Sequence, residues 1–278
     1  SDMHVHLRQG TMLRNVAPHT GRCCAHALVM PNTEPPVATD TNVTNYRTEV
    51  RAALKDHPCC KPLMTFKLLP TTTADQVMAM QGLVVAGKLY PEGVTTHSGD
   101  GISRKMLLNP RGYPSFMDAL GAMEKANMVL CLHGEMPGEF CLEREVMFHE
   151  FIYWVLSLYP KLRVVFEHIT DQRSVDFVKR RPAERLAATI TAHHLYLTLD
   201  DVVGDKLSPH NFCKPVAKTP ADRAALLRAA TSGDPHFFLG SDSAPHPVSY
   251  KECAAGCAGV FSAPVLPELL TTIFEEQG

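Results

Sequence analysis

No apolar run in this 278-residue sequence approaches the roughly 18 residues needed to cross a bilayer. The opening SDMHVHLRQG also lacks a basic segment followed by an apolar one, so neither export nor membrane insertion is expected. Charge of one sign is missing as well. Lys plus Arg (27) nearly balances Asp plus Glu (29), for a net charge of -2, which offers no basic field to a phosphate backbone or an anionic lipid surface. Nucleic acid and membrane are excluded as partners on that basis. There is no C-x-x-C and therefore no zinc-ribbon spacing. The nine cysteines are odd in number, and Cys23–Cys24 and Cys59–Cys60 are adjacent pairs, where bridge geometry is strained. Reduced thiols in a cytoplasmic protein are the better reading.

What the chain does contain is a globular composition, 45% hydrophobic and 20% charged, with β-rich runs alternating with helical patterns throughout. Its length would allow two small domains, but no Gly/Ser linker, low-complexity tract or composition shift divides it, so residues 1–278 are expected to form a single domain. Strand candidates are Met3 to Leu7, His26 to Met30, Leu63 to Leu68, Val84 to Tyr90, Val129 to Gly134, Arg163 to Ile169, Leu186 to Thr191 and Phe237 to Ser241. Helix starts are signalled by Thr73 with Gln76, by Ser115 with Asp118, and by Thr219 with Pro220 and Asp222. Phe148, Phe151, Ile152 and Val155 recur at i, i+3, i+4 and i+7, one buried stripe of a helix. Eight strands alternating with helices predict an α/β fold, a parallel sheet closed into a (β/α)8 TIM-like barrel, with an open doubly wound sheet as the alternative. The first strand candidate begins at the third residue and the last helical pattern runs to Gly278. An excerpt of a barrel, cut at both ends, is expected.

The unusual count is 14 histidines. His4 and His6 lie two apart on a strand, so both rings point to one side and can share a metal. With so many histidines, an H-x-H by itself is weak, and two barrel-interior or surface rings are the commoner outcome. Context strengthens it. His133 in Leu-Cys-Leu-His-Gly-Glu and His168 in Val-Val-Phe-Glu-His each end an apolar run where a strand leaves the core, and Asp242 in Leu-Gly-Ser-Asp-Ser does the same on the eighth. In a closed barrel these strand ends converge on one mouth. Lys88 in Gly-Lys-Leu-Tyr-Pro points into that mouth; buried and desolvated, its amine could lose a proton and take up carbon dioxide as a carbamate that bridges two metals. Lys67 in Phe-Lys-Leu-Leu-Pro has almost the same surroundings, and periodicity does not separate the two. Arg8, two positions beyond His6, falls on the same side, where its planar fork suits a carboxylate.

Together, HVHLRQG, VMPNTEPPV, PLMTF, KLYP, the Thr95–Thr96 pair, LHGE, VVFEHIT, RLAATITAHHL, FLGSDSAPH and CAG resemble the dihydroorotases, the single-domain bacterial type within the amidohydrolase superfamily. The resemblance runs nearly end to end. It implies that His4, His6 and Asp242 hold one Zn²⁺, that His133 and His168 hold a second, and that Lys88 rather than Lys67, N6-carboxylated, bridges them. It further implies that Arg8, Asn32 and His246 grip a substrate carboxylate and that Thr95 and Thr96 tip a loop closing over the substrate. Main-chain groups at Lys214 and Ala258 would contact the ring. Lys214 stands where the family usually has an apolar residue, and the stretch from His97 to Pro114 is longer than in the bacterial form. The implied reaction is the reversible cyclisation of the small molecule N-carbamoyl-L-aspartate to L-dihydroorotate in pyrimidine biosynthesis, with Asp242 carrying the proton, in a homodimer. Two other readings stand beside it: another cyclic-amide hydrolase such as a hydantoinase or allantoinase, and a non-catalytic barrel scaffold. Arg8 and Asn32 speak against the first, because a neutral ring gives them no carboxylate. The intact metal positions speak against the second.

Overall fold

The computed structural model describes residues 1–277. The eight short β-rich runs of the sequence become β1 (Asp2–Val5), β2 (His26–Val29), β3 (Lys61–Leu68), β4 (Ala86–Leu89), β5 (Val129–Leu132), β6 (Arg163–Phe166), β7 (Leu186–Ile190) and β8 (Phe237–Leu239). Each pairs in parallel with the next in chain order. The ring is closed just beyond the strand ends. Val5 bridges Ser243 in parallel, Asp242 N–H donates to His4 O at 2.8 Å, and His6 N–H donates to Ser243 O at 3.0 Å. Below that seam the buried Asp2 carboxylate accepts from the Ser241 N–H at 2.8 Å and its hydroxyl at 2.5 Å. The closed barrel expected from the sequence is therefore the observed one, and the open sheet is not.

Period-2 alternation assigns the side chains. Leu28, Met30, Ala86 and Cys131 form an inner cluster with Leu63, Val129 and Val165 packed against it. The intervening residues, among them Val29, Phe66, Leu89, Leu130, Leu132 and Phe166, face the helices in the large outer core. Each large side chain removed from water there contributes about 1.5–3 kcal/mol before entropy is counted. The inward set on β3 and β4 includes Lys67 and Lys88, which are directly paired in register.

Two of the three expected helix starts are capping boxes as read, Thr73 with Gln76 and Thr219 with Asp222. The third is not. The helix Pro114–Lys125 starts at Pro114, with Tyr113 at the cap and no side-chain bond there. Proline's fixed φ suits the first helical position and displaces Ser115 from the cap. The stripe Phe148, Phe151, Ile152, Val155 is buried along the helix His149–Leu158. None of the described helices is long and apolar enough to cross a membrane, and the nine cysteines are free thiols.

Candidate metal centre and active-site mouth

Asp242 comes together with His4 and His6 although more than two hundred positions of sequence separate it from them. One ligating atom from each lies within 4.8 Å of the others. Asp242 Oδ1 sits 3.0 Å from His6 Nε2 and 3.3 Å from His4 Nε2. The other two expected histidines extend the group. The His168 ring lies 5.1 Å from that of His4, and His133 lies 4.7 Å from His168. All five residues are buried. Gly240 allows the eighth strand to come this close, because a Cβ there would stand 2.8 Å from His4 Cβ and 2.9 Å from Thr189. His168 and Asp242 have φ of 42° and 44°, and Arg8 has 61°, a left-handed conformation that costs non-glycine residues energy and clusters at functional sites.

A second set of residues orients the rings. His4 Nδ1 is 2.8 Å from Glu167 Oε2 and His6 Nδ1 is 2.6 Å from Asn32 Oδ1, so both rings carry the proton on Nδ1 and turn an Nε2 lone pair to the centre. His133 Nε2 is committed to Glu135 at 2.7 Å, which leaves Nδ1 to ligate. Glu167 Oε2 also accepts from Thr189 Oγ1 at 2.6 Å, and Thr189 Oγ1 accepts from the His168 N–H at 2.6 Å. One chain of hydrogen bonds thus joins His4 to His168. Burial lowers the His6 imidazole to about 4 and pulls His133 and His168 below the ordinary histidine value, the direction that favours the neutral ring a metal ligand needs. Burial alone would raise the Glu167 carboxyl, but His4 and Lys88 outweigh it and hold it at about 2. Asp242 behaves alike: burial raises it, and the His4, His6 and His168 rings together keep it well below the usual carboxylate range.

The two lysines that sequence left equivalent differ here. Lys67 Nζ donates to His97 O at 2.7 Å and pairs with the Asp100 carboxylate. Lys88 Nζ, fully buried, has no hydrogen-bond partner among the described residues and lies 5.3 Å from the Tyr90 ring centroid. Burial pulls its ammonium below the ordinary lysine value, with Glu167, Cys131 and Asp242 opposing. The same lack of a partner marks His4 Nε2 and His168 Nδ1. Buried polar atoms are nearly always paired, so unpartnered atoms on three residues of this one cluster fit a group that the protein alone does not supply. The residues present suit metal ions: neutral imidazoles, a carboxylate and a desolvated amine.

Above this centre opens a cavity of about 630 Å³ lined by Arg8, Asn32, Thr96, His97, His246 and others. Arg8 Nε donates to Pro245 O at 2.9 Å. Its Nη2 lies 3.1 Å from His246 Nε2, which is also 3.0 Å from Ala258 O; that single nitrogen, on a ring that burial and Arg8 lower to about 4, serves one of the two. Asn32, expected at a carboxylate, is engaged at both ends, by His6 and by Thr96 O at 3.3 Å. Thr95 turns on Ser98, and Thr96 Oγ1 reaches Ala258 O at 3.4 Å. Lys214 is half-buried and precedes Pro215.

Glu135, Glu167 and Thr189 were not singled out by sequence. The Glu of LHGE stands two positions after a candidate ligand histidine and that of FEHI directly before one, which is the signal that could have found two of them. The structure also gathers His193, His194 and Cys213. His194 Nε2 donates to Pro215 O at 3.0 Å and Nδ1 faces Thr191 Oγ1 at 2.8 Å, so neither nitrogen has a lone pair to spare for a metal.

No family model matches the chain. Over its whole length it is 43% identical to a dihydroorotase from Nitrosomonas europaea, spanning 79% of that protein. Among solved structures, a dihydroorotase from Saccharomyces cerevisiae in complex with 5-fluoroorotic acid superposes with a TM-score of 0.90 at 37% identity. The match covers 99% of this chain and 78% of that one. An L-hydantoinase from Arthrobacter aurescens shares the fold, with a TM-score of 0.83, at only 15% identity over 100% of this chain and 66% of that one.

Proposed function

The chain belongs to the dihydroorotase family, and from that premise we propose how its own residues carry the reaction. The activity is that of a cyclic amide hydrolase, a dihydroorotase of pyrimidine biosynthesis, which interconverts N-carbamoyl-L-aspartate and L-dihydroorotate. The hydantoinase-like neighbour shares only the fold, and Arg8 at the mouth favours an anionic substrate over a neutral ring.

His4, His6 and Asp242 would hold one Zn²⁺ and His133 and His168 the other. The neutral Lys88 amine would add carbon dioxide, releasing a proton, to give the carbamate between them. When bound, the metals supply Lewis acidity toward an amide carbonyl and a water acidic enough to ionise near neutral pH. Arg8 grips the substrate carboxylate that does not react, with His246 beside it, and so decides which carbonyl reaches the centre. Asn32 acts chiefly by holding His6, since its side-chain oxygen is already bonded there. Thr95 and Thr96 cap the mouth, and the main chain at Lys214 and Ala258 lines it. In the hydrolytic direction Asp242 takes the proton of the attacking water at its carboxylate and returns it to the departing ring nitrogen; in the synthetic direction it removes a ureido proton.

The observation that carries this reading is the convergence of His4, His6 and Asp242 with an unpartnered, buried Lys88 Nζ beside them. A zinc count on purified protein, paired with an ultraviolet assay on dihydroorotate, tests it. Two zinc ions per chain with turnover is the expected result; zinc-free, inactive protein would favour a barrel scaffold. The free cysteines support a cytoplasmic enzyme, and the family resemblance suggests a homodimer.

A further inference from the structure

Beside the mouth lies a buried cation that the chemistry above does not use. Lys251, 4% exposed, closes the short helix Val248–Lys251 and turns its ammonium inward onto three main-chain carbonyls. It donates to Phe212 O at 3.0 Å, Cys257 O at 2.8 Å and Gly259 O at 2.8 Å. Three donors meet three acceptors, so the head group is satisfied without a carboxylate. The carbonyls come from two stretches far apart in sequence. Phe212 leads into Cys213 and Lys214, whereas Cys257 and Gly259 flank Ala258. The two stretches are also tied directly, by the Gly259 N–H donating to Phe212 O at 2.8 Å.

We propose that Lys251 is a positioning residue for substrate, a buried ammonium that fixes the two backbone stretches presenting Lys214 and Ala258 to the ligand. The inference rests on the assignment of those two main-chain contacts made above. Its physics is simple. Three carbonyl dipoles converging on one point repel one another unless a cation sits between them, and an ammonium donating to each is worth more than a neutral donor. Without it the carbonyls splay, and Ala258 moves with its neighbours. The segment has little slack to absorb this. Gly259 has φ of 149°, and a Cβ there would meet Ala244 O at 2.4 Å, while Thr96 Oγ1 donates to Ala258 O at 3.4 Å and His246 Nε2 lies 3.0 Å from it. Lys251 touches neither the metal ligands nor Arg8 among its hydrogen bonds, so its loss should be felt in substrate binding and not in metal content.

The test compares the zinc-loaded parent with Lys251→Met and Lys251→Gln. For each, steady-state kinetics on dihydroorotate are measured together with amide hydrogen exchange of residues 257–260. Lys251→Met should raise KM at least tenfold with kcat within about threefold of the parent and zinc content unchanged, and exchange of 257–260 should accelerate. Lys251→Gln, which keeps a donor for part of the cage, should fall between. If Lys251→Met does not fold, Lys251→Gln alone decides, by a raised KM against a parent-like one. A folded variant with KM within twofold of the parent, or one that loses kcat at constant KM, overturns the proposal. A parent without dihydroorotase activity would instead refute the functional reading, and the exchange comparison would still judge the clamp.

Discussion

Replacing Glu167 by Gln removes one charge from the middle of the hydrogen-bond chain and nothing else in shape. In the parent, Glu167 Oε2 accepts from His4 Nδ1 at 2.8 Å and from Thr189 Oγ1 at 2.6 Å. The amide oxygen of Gln can keep both contacts. What is lost is the carboxylate's strengthening of the His4 bond, and through it the basicity of His4 Nε2 toward a metal. Hydrogen bonds to charged groups are worth about 1.5–3 kcal/mol against about 0.5–1.5 for neutral ones, a difference of roughly 1–1.5 kcal/mol. Outer partners of ligand histidines typically contribute 10–100-fold in metal affinity, or about 1.4–2.7 kcal/mol. Chelator competition for zinc measures it: Glu167→Gln should bind zinc about 10–100-fold more weakly, and Glu167→Ala, which frees the His4 tautomer, more weakly still. The sign with pH follows from the Glu167 carboxyl being held at about 2, below its unperturbed 4.5. The carboxylate's contribution is complete above pH 4.5 and fades as pH falls toward 2, so the difference between parent and Gln variant should not change between pH 6 and 8. Zinc binding by Glu167→Gln within twofold of the parent, in a folded protein, would refute the reasoning.

Lys88→Ala should abolish binuclear zinc binding and most turnover, whereas Lys67→Ala, which removes a cation already paired with Asp100, should retain two zinc ions; zinc counts on both variants check this. Arg8→Ala should raise KM about 10–150-fold, the equivalent of a charge-assisted pair of about 1.5–3 kcal/mol, and an unchanged KM would remove Arg8 from the substrate. Glu145 is buried, accepts from the N–H groups of Thr170 and Asp171 just after His168, and pairs with Lys218 at 3.0 Å. Burial raises its carboxyl, but Lys218, Ser174 and Thr170 hold it below 4.5, so its stabilisation is present above pH 4.5 and lost as pH falls through the lowered value. Glu145→Gln should therefore cost about 3–5 kcal/mol at pH 7 and progressively less below pH 4.5, as followed by urea unfolding at a series of pH values.

Much of this architecture is legible because a barrel strand writes its two faces in alternation. The runs ending in His133, His168 and Asp242 each showed where a strand leaves the core, and the closed ring follows from counting them. Local devices were legible where the chain acts on itself within a few residues, as at Thr73 and Thr219, and failed at Ser115, where Pro114 took the first helical position. What sequence could not show is pairing across distance. Lys67 and Lys88 carry the same pattern, and only Asp100, 33 residues beyond Lys67, tells them apart. Glu167 meets His4 across 163 positions, and Lys251 finds its carbonyls on two separate stretches, so neither partnership leaves a periodic trace.

Anomalous scattering at the zinc edge, from crystals of active, zinc-replete protein, asks the central question directly. Two peaks roughly 3.5–4 Å apart are expected, one among His4, His6 and Asp242 and one beside His133 and His168, with Lys88 side-chain density extended by a carboxylate between them. A single peak, or zinc bound elsewhere while the enzyme turns over, would contradict the account.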